Sequence, residues 1–256
     1  AGSEGEFVNQ MNQKAAELGM KNTHFTDCCG LTDSEDHYTT PRDIALMSQE
    51  LITKYPEVFD YTKIWMENIT HMTARGSSEF GLTNTNKLLR SYDGCDGLKT
   101  GSTSKALFCI SATAERNGIR LISVIMAGPD SKTRFRNAAE LLNYGFGSCR
   151  LYVDENLDAL PETKVRGGVT ETVPCKYQEG FRYLDTKGVD FSAIEKEVLL
   201  EEELTAPIEK GEAVGKVVYR LNGEILGEVP ILAGESVEKA EFLDYLKKLW
   251  ERYQSI

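Results

Sequence analysis

The chain has 256 residues, 41% hydrophobic and 27% charged, which suits one large or two modest globular domains. A formal net charge of −11 and the lack of Lys/Arg clusters argue against nucleic acid as a partner. No run of eighteen apolar residues occurs, so no segment reads as a membrane-spanning helix.

The chain opens at Ala1 without Met or a signal peptide and is read as starting after processing or truncation. Six cysteines stand at 28, 29, 95, 109, 149 and 175, with no C-x-x-C, and His24, His37 and His71 lack zinc-ligand spacing; no metal site is expected. A bond between adjacent Cys28 and Cys29 is strained, so mostly free thiols are expected, which in a secreted protein suits a weakly oxidising setting. Cys109 alternates with apolar neighbours and reads as a small core residue.

Residues 4–18 place Phe7, Val8, Met11, Ala15 and Leu18 on one helical face, and Gly19 ends that helix. Thr40-Pro41-Arg42-Asp43 starts a second helix: Thr at the N-cap, Pro in the first turn and an acid at the third position. Ile44, Met47, Leu51 and Ile52 then face a core, and Pro56 breaks the helix or begins a short one at 57–61. Lys63-Ile64-Trp65-Met66 looks strand-like, whereas the Asn-rich stretch from Thr83 to Leu89 reads as a loop.

Leu107–Glu115 and Ile119–Ala127 are two apolar β-type runs joined by Arg116-Asn117-Gly118, a hairpin signal. Both faces of each run are apolar, which places them in a sheet covered on both sides. Lys99-Thr100-Gly101, followed by the hydroxyl residue Ser102, immediately precedes the first run and sits near the start of a central hairpin strand. K-T-G is one third of the signature of serine penicillin-binding enzymes, but a bare tripeptide equally suits a solvated turn. Gly128-Pro129-Asp130-Ser131 is a turn and cap before a helix at 132–146, with Phe135, Ala138, Ala139, Leu142 and Phe146 on one side. Arg134 and Arg136 fall in its first turn, where a cation opposes the helix dipole. Either is a solvated surface residue or is placed for another purpose.

The composition changes near Tyr152, dividing the chain into 1–150 and 151–256. Strands are expected at 163–166, 170–175, 216–221 and 224–232, the last two joined by Asn222-Gly223, giving a small antiparallel β domain. A final helix from Ser236 to about Tyr253 carries Phe242, Leu246, Leu249, Trp250 and Tyr253. That face either packs on the β domain or lies on a membrane surface; the mixture of Glu and Lys opposite weakens the second reading.

Taken together, these segments resemble the serine-type D-alanyl-D-alanine carboxypeptidases, the low-molecular-mass penicillin-binding proteins. The resemblance rests on Ala1-Gly2-Ser3-Glu4 with Phe7-Val8, Leu18 to Phe25, Gly30-Leu31, and Tyr38 to Asp43. It continues through Thr85-Asn86-Lys87-Leu88-Leu89, Gly94 to Thr103 and the 107–127 hairpin, and so covers nearly the whole chain. It implies an α+β fold: part of a transpeptidase-type domain, an antiparallel sheet with helices, then an all-β domain ending in a helix. Two family motifs are missing. Ser102-Thr103-Ser104-Lys105 and Ser236-Val237-Glu238-Lys239 fit S-x-x-K, but the first overlaps K-T-G and the second lies in the expected terminal helix; no S-x-N occurs. Both motifs precede Ala1-Gly2-Ser3-Glu4 in the family, so the chain reads as a member lacking its N-terminal catalytic portion and inactive alone.

For the intact protein the resemblance implies acyl transfer on the peptidoglycan pentapeptide, in the cell envelope outside the cytoplasm, with β-lactams as alternative ligands and no cofactor. Lys99 then acts electrostatically, Thr100 and Ser102 hold the terminal carboxylate, and an N–H on or near Thr103 joins the oxyanion hole. Gly101 completes the binding strand, and Arg134 assists carboxylate recognition. The competing readings are a non-catalytic module contacting peptidoglycan or a membrane, and a β-lactamase, which the C-terminal β domain argues against. Sheet faces lacking upstream cover favour pairing with the missing segment or self-association.

Overall fold

Ser3 sets the first helix, accepting the Glu6 N–H on its hydroxyl at 3.2 Å and so capping α1 (Glu4–Glu17). The computed structural model describes residues 1–74 and 76–254, and the chain divides into two units, Ala1–Ser148 and Cys149–Ile256. It is an α+β protein.

In the first unit, Thr40 caps α2 (Pro41–Lys54) through the Asp43 N–H, as its cap sequence predicts. Asp43 is buried and turns its carboxylate back onto the Thr23 hydroxyl (2.7 Å) and the Asn22 N–H (2.9 Å). Those bonds hold its carboxyl below the usual range: the Thr23 hydroxyl is the largest cause, and it outweighs burial. Asn12 pairs with both backbone groups of Phe25 at 2.8 Å, so the 22–25 segment is held by side chains from two helices. Ile52 is buried as expected, but Met47 and Leu51 are exposed, because α2 meets the sheet through Ser48 and Ile52 instead. Ser48 shares a 2.7 Å hydroxyl contact with Ser111.

A 3-10 turn at Pro56–Val58 leads into the short α3 (Phe59–Thr62). Strand structure then starts at Met66 rather than Lys63: β1 (Met66–Thr73) pairs with β2 (Gly76–Thr83) in an antiparallel hairpin whose residues are all exposed. Of the loop expected from Thr83 to Leu89, Thr83 belongs to β2, Asn84 to Lys87 are loop, and α4 (Leu88–Ser91) then forms one turn.

The central sheet has three antiparallel strands in the order β3 (Cys95–Thr103), β4 (Leu107–Arg116), β5 (Ile119–Gly128). Lys99-Thr100-Gly101 therefore lies inside a strand of its own at the sheet edge, not at the start of a hairpin strand. The Asn117-Gly118 turn joins β4 to β5 with φ of 50° and 74°, the left-handed pair a two-residue hairpin loop needs. One face carries Ile110, Ala112 and Ala114 against Phe135, Ala138 and Leu142 of α5 (Ser131–Ser148). The other face meets α2.

The second unit opens with β6 (Arg150–Val153) and β7 (Thr163–Arg166). The strand expected at 170–175 is broken at Pro174 into β8 (Thr172–Val173) and β9 (Cys175–Tyr177), since proline gives no ladder N–H. β10 (Arg182–Asp185), β11 (Ile194–Leu200) and β12 (Glu203–Thr205) follow, the last pairing parallel to β7. β13 (Ala213–Leu221) and β14 (Glu224–Ala233) form the expected Asn-Gly hairpin at the centre of a four-stranded sheet, β11-β13-β14-β9. The core gathers Val173, Val214, Val217 and Ile231 around Tyr219, whose ring stacks on Phe181 at 3.8 Å. Buried Asp154 accepts the Tyr219 hydroxyl at 2.6 Å and Lys196 Nζ at 2.7 Å.

α6 (Phe242–Gln254) begins six residues later than expected. Val237 and Lys239 instead make isolated bridges to Ile208 and Gly168, so Ser236-Val237-Glu238-Lys239 is extended rather than helical. Lys248 ties α6 to the Gly168 carbonyl at 2.8 Å, while Phe242, Leu243 and Trp250 are 78%, 73% and 62% exposed. No helix among the described residues is long and apolar enough to cross a membrane.

Candidate active site

β3 pairs with β4 along one side and, among the described residues, carries no strand along the other. Register sorts its side chains: Leu98 and Thr100 lie opposite Ala112 and Ile110 on the α5 face, Lys99 and Gly101 opposite Ser111 and Cys109 on the α2 face. A cleft of about 720 Å³ opens from β3 across the sheet, reaching Ser111 of β4 and Val124 and Met126 of β5. Lys99, Thr100, Gly101, Ser102 and Thr103 line one wall, Cys29, Gly30 and Leu31 another, with Ile44, Met47 and Leu51 of α2. Most of this lining is apolar, and the polar groups concentrate on β3. Cys109, expected in the core, is only half-buried and lines this cleft; its thiol donates to the Ala106 carbonyl at 3.2 Å.

The strand is held from both ends. The Asn-rich stretch acts as a polar clamp. Asn84 donates to the Thr62 and Ile64 carbonyls at 3.2 and 3.0 Å and accepts the Asn86 N–H. Asn86, 1% exposed, donates to the Gly97 carbonyl at 3.0 Å and accepts the Leu88 N–H at 3.1 Å. Between them the Thr85 and Thr100 hydroxyls are in hydrogen-bond contact. Asp96 anchors the strand's start, accepting the Thr113 hydroxyl at 2.6 Å and Arg120 Nη1 at 2.7 Å, with its carbonyl on the Thr62 hydroxyl. A Cβ at Gly97 would come 2.8 Å from Thr62 Oγ1, which is why glycine sits there.

At the other end stands Arg134. It is 5% exposed, so it is no solvated surface residue. One Nη1 donates to both the Gly101 carbonyl (3.2 Å) and the Cys109 carbonyl (3.0 Å), stapling two residues directly opposed across β3 and β4. Phe108 and Phe135 flank the guanidinium, its Nε is buried without a hydrogen-bond partner, and burial pushes its pKa down. Lys99 Nζ bonds the Thr100 carbonyl, and Thr103 Oγ1 accepts the Ala106 N–H at 2.9 Å.

The expected site residues thus fall in two groups. Lys99 through Thr103 share the cleft wall, whereas Arg134 reaches the site through backbone carbonyls. Sequence reading missed Thr85, Asn86, Asp96 and Arg120. Asp96 beside Gly97 and the paired asparagines were the available signals, but their partners lie 11 to 24 residues away.

The D-alanyl-D-alanine carboxypeptidase family model matches residues 1–130, just over half the chain, and that of the penicillin-binding protein 5 C-terminal domain matches residues 155–239. The chain is 34% identical over 258 residues to D-alanyl-D-alanine carboxypeptidase DacF of Bacillus subtilis, and 30% identical over 266 residues to DacA of Escherichia coli. These alignments take in 99% of the chain in each case, but only 65% and 62% of the two relatives. Among solved structures, penicillin-binding protein 5 of Haemophilus influenzae superposes with a TM-score of 0.63 at 29% identity, over 93% of this chain and 68% of that one. With a family model over residues 1–130 and the β3 cleft inside that span, the chain belongs to the D-alanyl-D-alanine carboxypeptidase family.

Proposed function

We propose that the β3 cleft is the peptide-binding wall of a serine D-alanyl-D-alanine carboxypeptidase acting on peptidoglycan stem peptides in the cell envelope. The observation that carries this reading is the edge strand itself. An extended peptide adds to an open strand edge through main-chain hydrogen bonds. A Cβ added at Gly101 meets nothing within 4 Å, so glycine is not required there by the chain's own packing and leaves room for a ligand backbone. Lys99 supplies positive charge beside the ligand. Thr100 and Ser102 hydrogen-bond its terminal carboxylate, and an N–H at or near Thr103 serves the oxyanion. Arg134 supports carboxylate recognition by fixing the Gly101 carbonyl and lending charge from behind the strand.

The reaction is acyl transfer. A serine hydroxyl attacks the carbonyl between the two D-alanines, its proton passes to the departing D-alanine amine, and water then cleaves the ester. Neither S-x-x-K match supplies that serine: Ser102 to Lys105 run from β3 into a turn, and Ser236 to Lys239 are extended in the other unit. The nucleophile is therefore assigned to a longer form of the protein. Fluorescent penicillin is expected to leave these 256 residues unlabelled and to label a form extended at the N-terminus. Light scattering on the same samples is expected to show self-association of the shorter form only, through exposed Met47 and Leu51. Labelling of the shorter chain would remove the argument for an absent nucleophile; an unlabelled longer form favours a non-catalytic peptidoglycan-binding module.

A second reading concerns α6. Its exposed Phe242, Leu243 and Trp250 suit a helix lying in a membrane interface. The chain is expected to float with anionic phospholipid vesicles, and Leu243→Asp/Trp250→Asp to abolish flotation. Equal flotation of both proteins sinks the idea.

A further inference from the structure

Thr85 stands between two asparagines whose side chains are committed to backbone groups. Asn84 bonds the Thr62 and Ile64 carbonyls and the Asn86 N–H. Asn86 bonds the Gly97 carbonyl of β3 and the Leu88 N–H. The backbone on either side of Thr85 is thereby fixed against the K-T-G strand. Thr85 itself is exposed, and its hydroxyl has one hydrogen-bond partner among the described residues, the hydroxyl of Thr100.

Thr100 is in the opposite situation. It is 7% exposed and lies across from Ile110, a buried residue of β4. It lines the cleft, whereas Thr85 stands outside the lining. A hydroxyl in such surroundings costs free energy unless it is hydrogen-bonded, and Thr85 supplies the bond.

The direction of that bond decides what Thr100 offers a ligand. Each hydroxyl has one proton and two acceptor lone pairs. If Thr100 donates to Thr85, its proton is engaged and it presents only a lone pair to the cleft. If Thr85 donates to Thr100, the Thr100 proton is left for the ligand. An ionised carboxylate only accepts, so it selects the second direction. A hydroxyl that already accepts one hydrogen bond is polarised and donates a stronger one.

We propose that Thr85 is a positioning residue for carboxylate recognition: it donates to Thr100 and so turns the Thr100 proton onto the ligand's terminal carboxylate. Thr85 acts through Thr100 and does not touch the ligand. The inference rests on the carboxypeptidase reading above, in which Thr100 meets that carboxylate.

The test uses the form extended at the N-terminus and two probes, benzylpenicillin and its methyl ester, with the second-order rate of acylation followed by intact mass. The ester keeps a carbonyl acceptor but loses the charge that makes the bond strong. Thr85→Val keeps the side-chain shape without the hydroxyl; Thr85→Ser keeps the hydroxyl. Thr85→Val is expected to slow acylation by benzylpenicillin about tenfold, and acylation by the ester by no more than about twofold. Thr85→Ser should stay within about threefold of wild type with benzylpenicillin. Amide exchange along Lys99 to Thr103, measured on the 256-residue chain, should be the same in Thr85→Val as in wild type, because the Asn84 and Asn86 bonds remain. Equal slowing with both probes, or faster exchange along β3, would make Thr85 a structural support and overturn the proposal. So would full-speed acylation of Thr85→Val by benzylpenicillin, or a Thr85→Ser protein no faster than Thr85→Val. A wild-type extended form that takes acid and ester equally, or neither, sinks the carboxylate reading of the cleft and this inference with it. That failure shows in the wild type alone, whereas the others show only when the variants are compared.

Discussion

Replacing Arg134 with methionine is expected to destabilise the N-terminal unit by about 1–3 kcal/mol, because two part-buried carbonyls lose a charged donor at once. Gly101 and Cys109 face each other across β3 and β4, and one Arg134 nitrogen joins both. Methionine fills much of the volume beside Phe108 and Phe135 but restores neither bond. The K-T-G end of β3 then loses its rear support while Asn86 still holds the front. Urea denaturation read by Trp65, in a Trp250→Phe background, measures the loss in this unit. Amide exchange at Lys99 to Thr103 should quicken more than exchange in β5. In a penicillin-reactive longer form, acylation should fall roughly 100-fold, the scale on which small misplacements near a reacting group act. Arg134→Lys should recover only part, since an ammonium cannot reproduce the planar fork. Unchanged exchange along β3 with unchanged stability would show that the staple has no mechanical role.

Lys196→Met should cost the C-terminal unit about 3–5 kcal/mol at neutral pH, the range for leaving one half of a buried ion pair behind. Asp154 is buried and receives Lys196, the Tyr219 hydroxyl and the Asn156 N–H. Burial pushes its carboxyl pKa up, but Lys196 first and Tyr219 next outweigh burial and hold it below the usual carboxylate range. A lowered folded value means the unfolded chain takes up the proton first. The pair's contribution is therefore complete above a pH of about 4 and is lost as pH falls through the folded value. The gap between wild type and Lys196→Met should consequently narrow at pH 3. Lys196→Met/Asp154→Asn, which removes the stranded charge, should regain much of the stability. Near-UV circular dichroism of the Phe181–Tyr219 stack follows the unit. A gap of equal size at both pH values would mean that the lost contacts, not the stranded carboxylate, carry the effect.

The parts of this fold legible in sequence are those governed by neighbours in the chain. Thr40-Pro41 and the two Asn-Gly turns obey local capping and hairpin rules, and the stripe from Phe135 to Leu142 follows one helix period. The β1–β2 hairpin escaped because neither face is buried, so its residues show no two-residue alternation. β3 was legible only as the binding strand that the family resemblance implied, not from its own pattern. Gly97 and Gly101 weaken its strand signal, and what holds it straight comes from Asn86, Arg120 and Arg134, all distant in sequence. Helical periodicity ran on too early at Ser236, where pairing with Ile208 and Gly168 overrides it. At the site, K-T-G itself was visible. That Arg134 sits behind the strand rather than in the cleft was not, because the dipole argument marks an odd residue without saying which way it reaches.

The β1–β2 hairpin leaves the Asn84 N–H on the Trp65 carbonyl at 2.8 Å, closing its base against the same polar turn that grips β3. Nothing along its eight paired positions is buried, so its length and surface chemistry bear on no core. Asn84 and Asn86, a few residues on, have almost every polar atom committed. A designer can therefore recode or graft onto the hairpin arms freely, provided the graft returns the chain to Trp65 and Asn84. The boundary between tolerance and constraint in this stretch is a single backbone hydrogen bond.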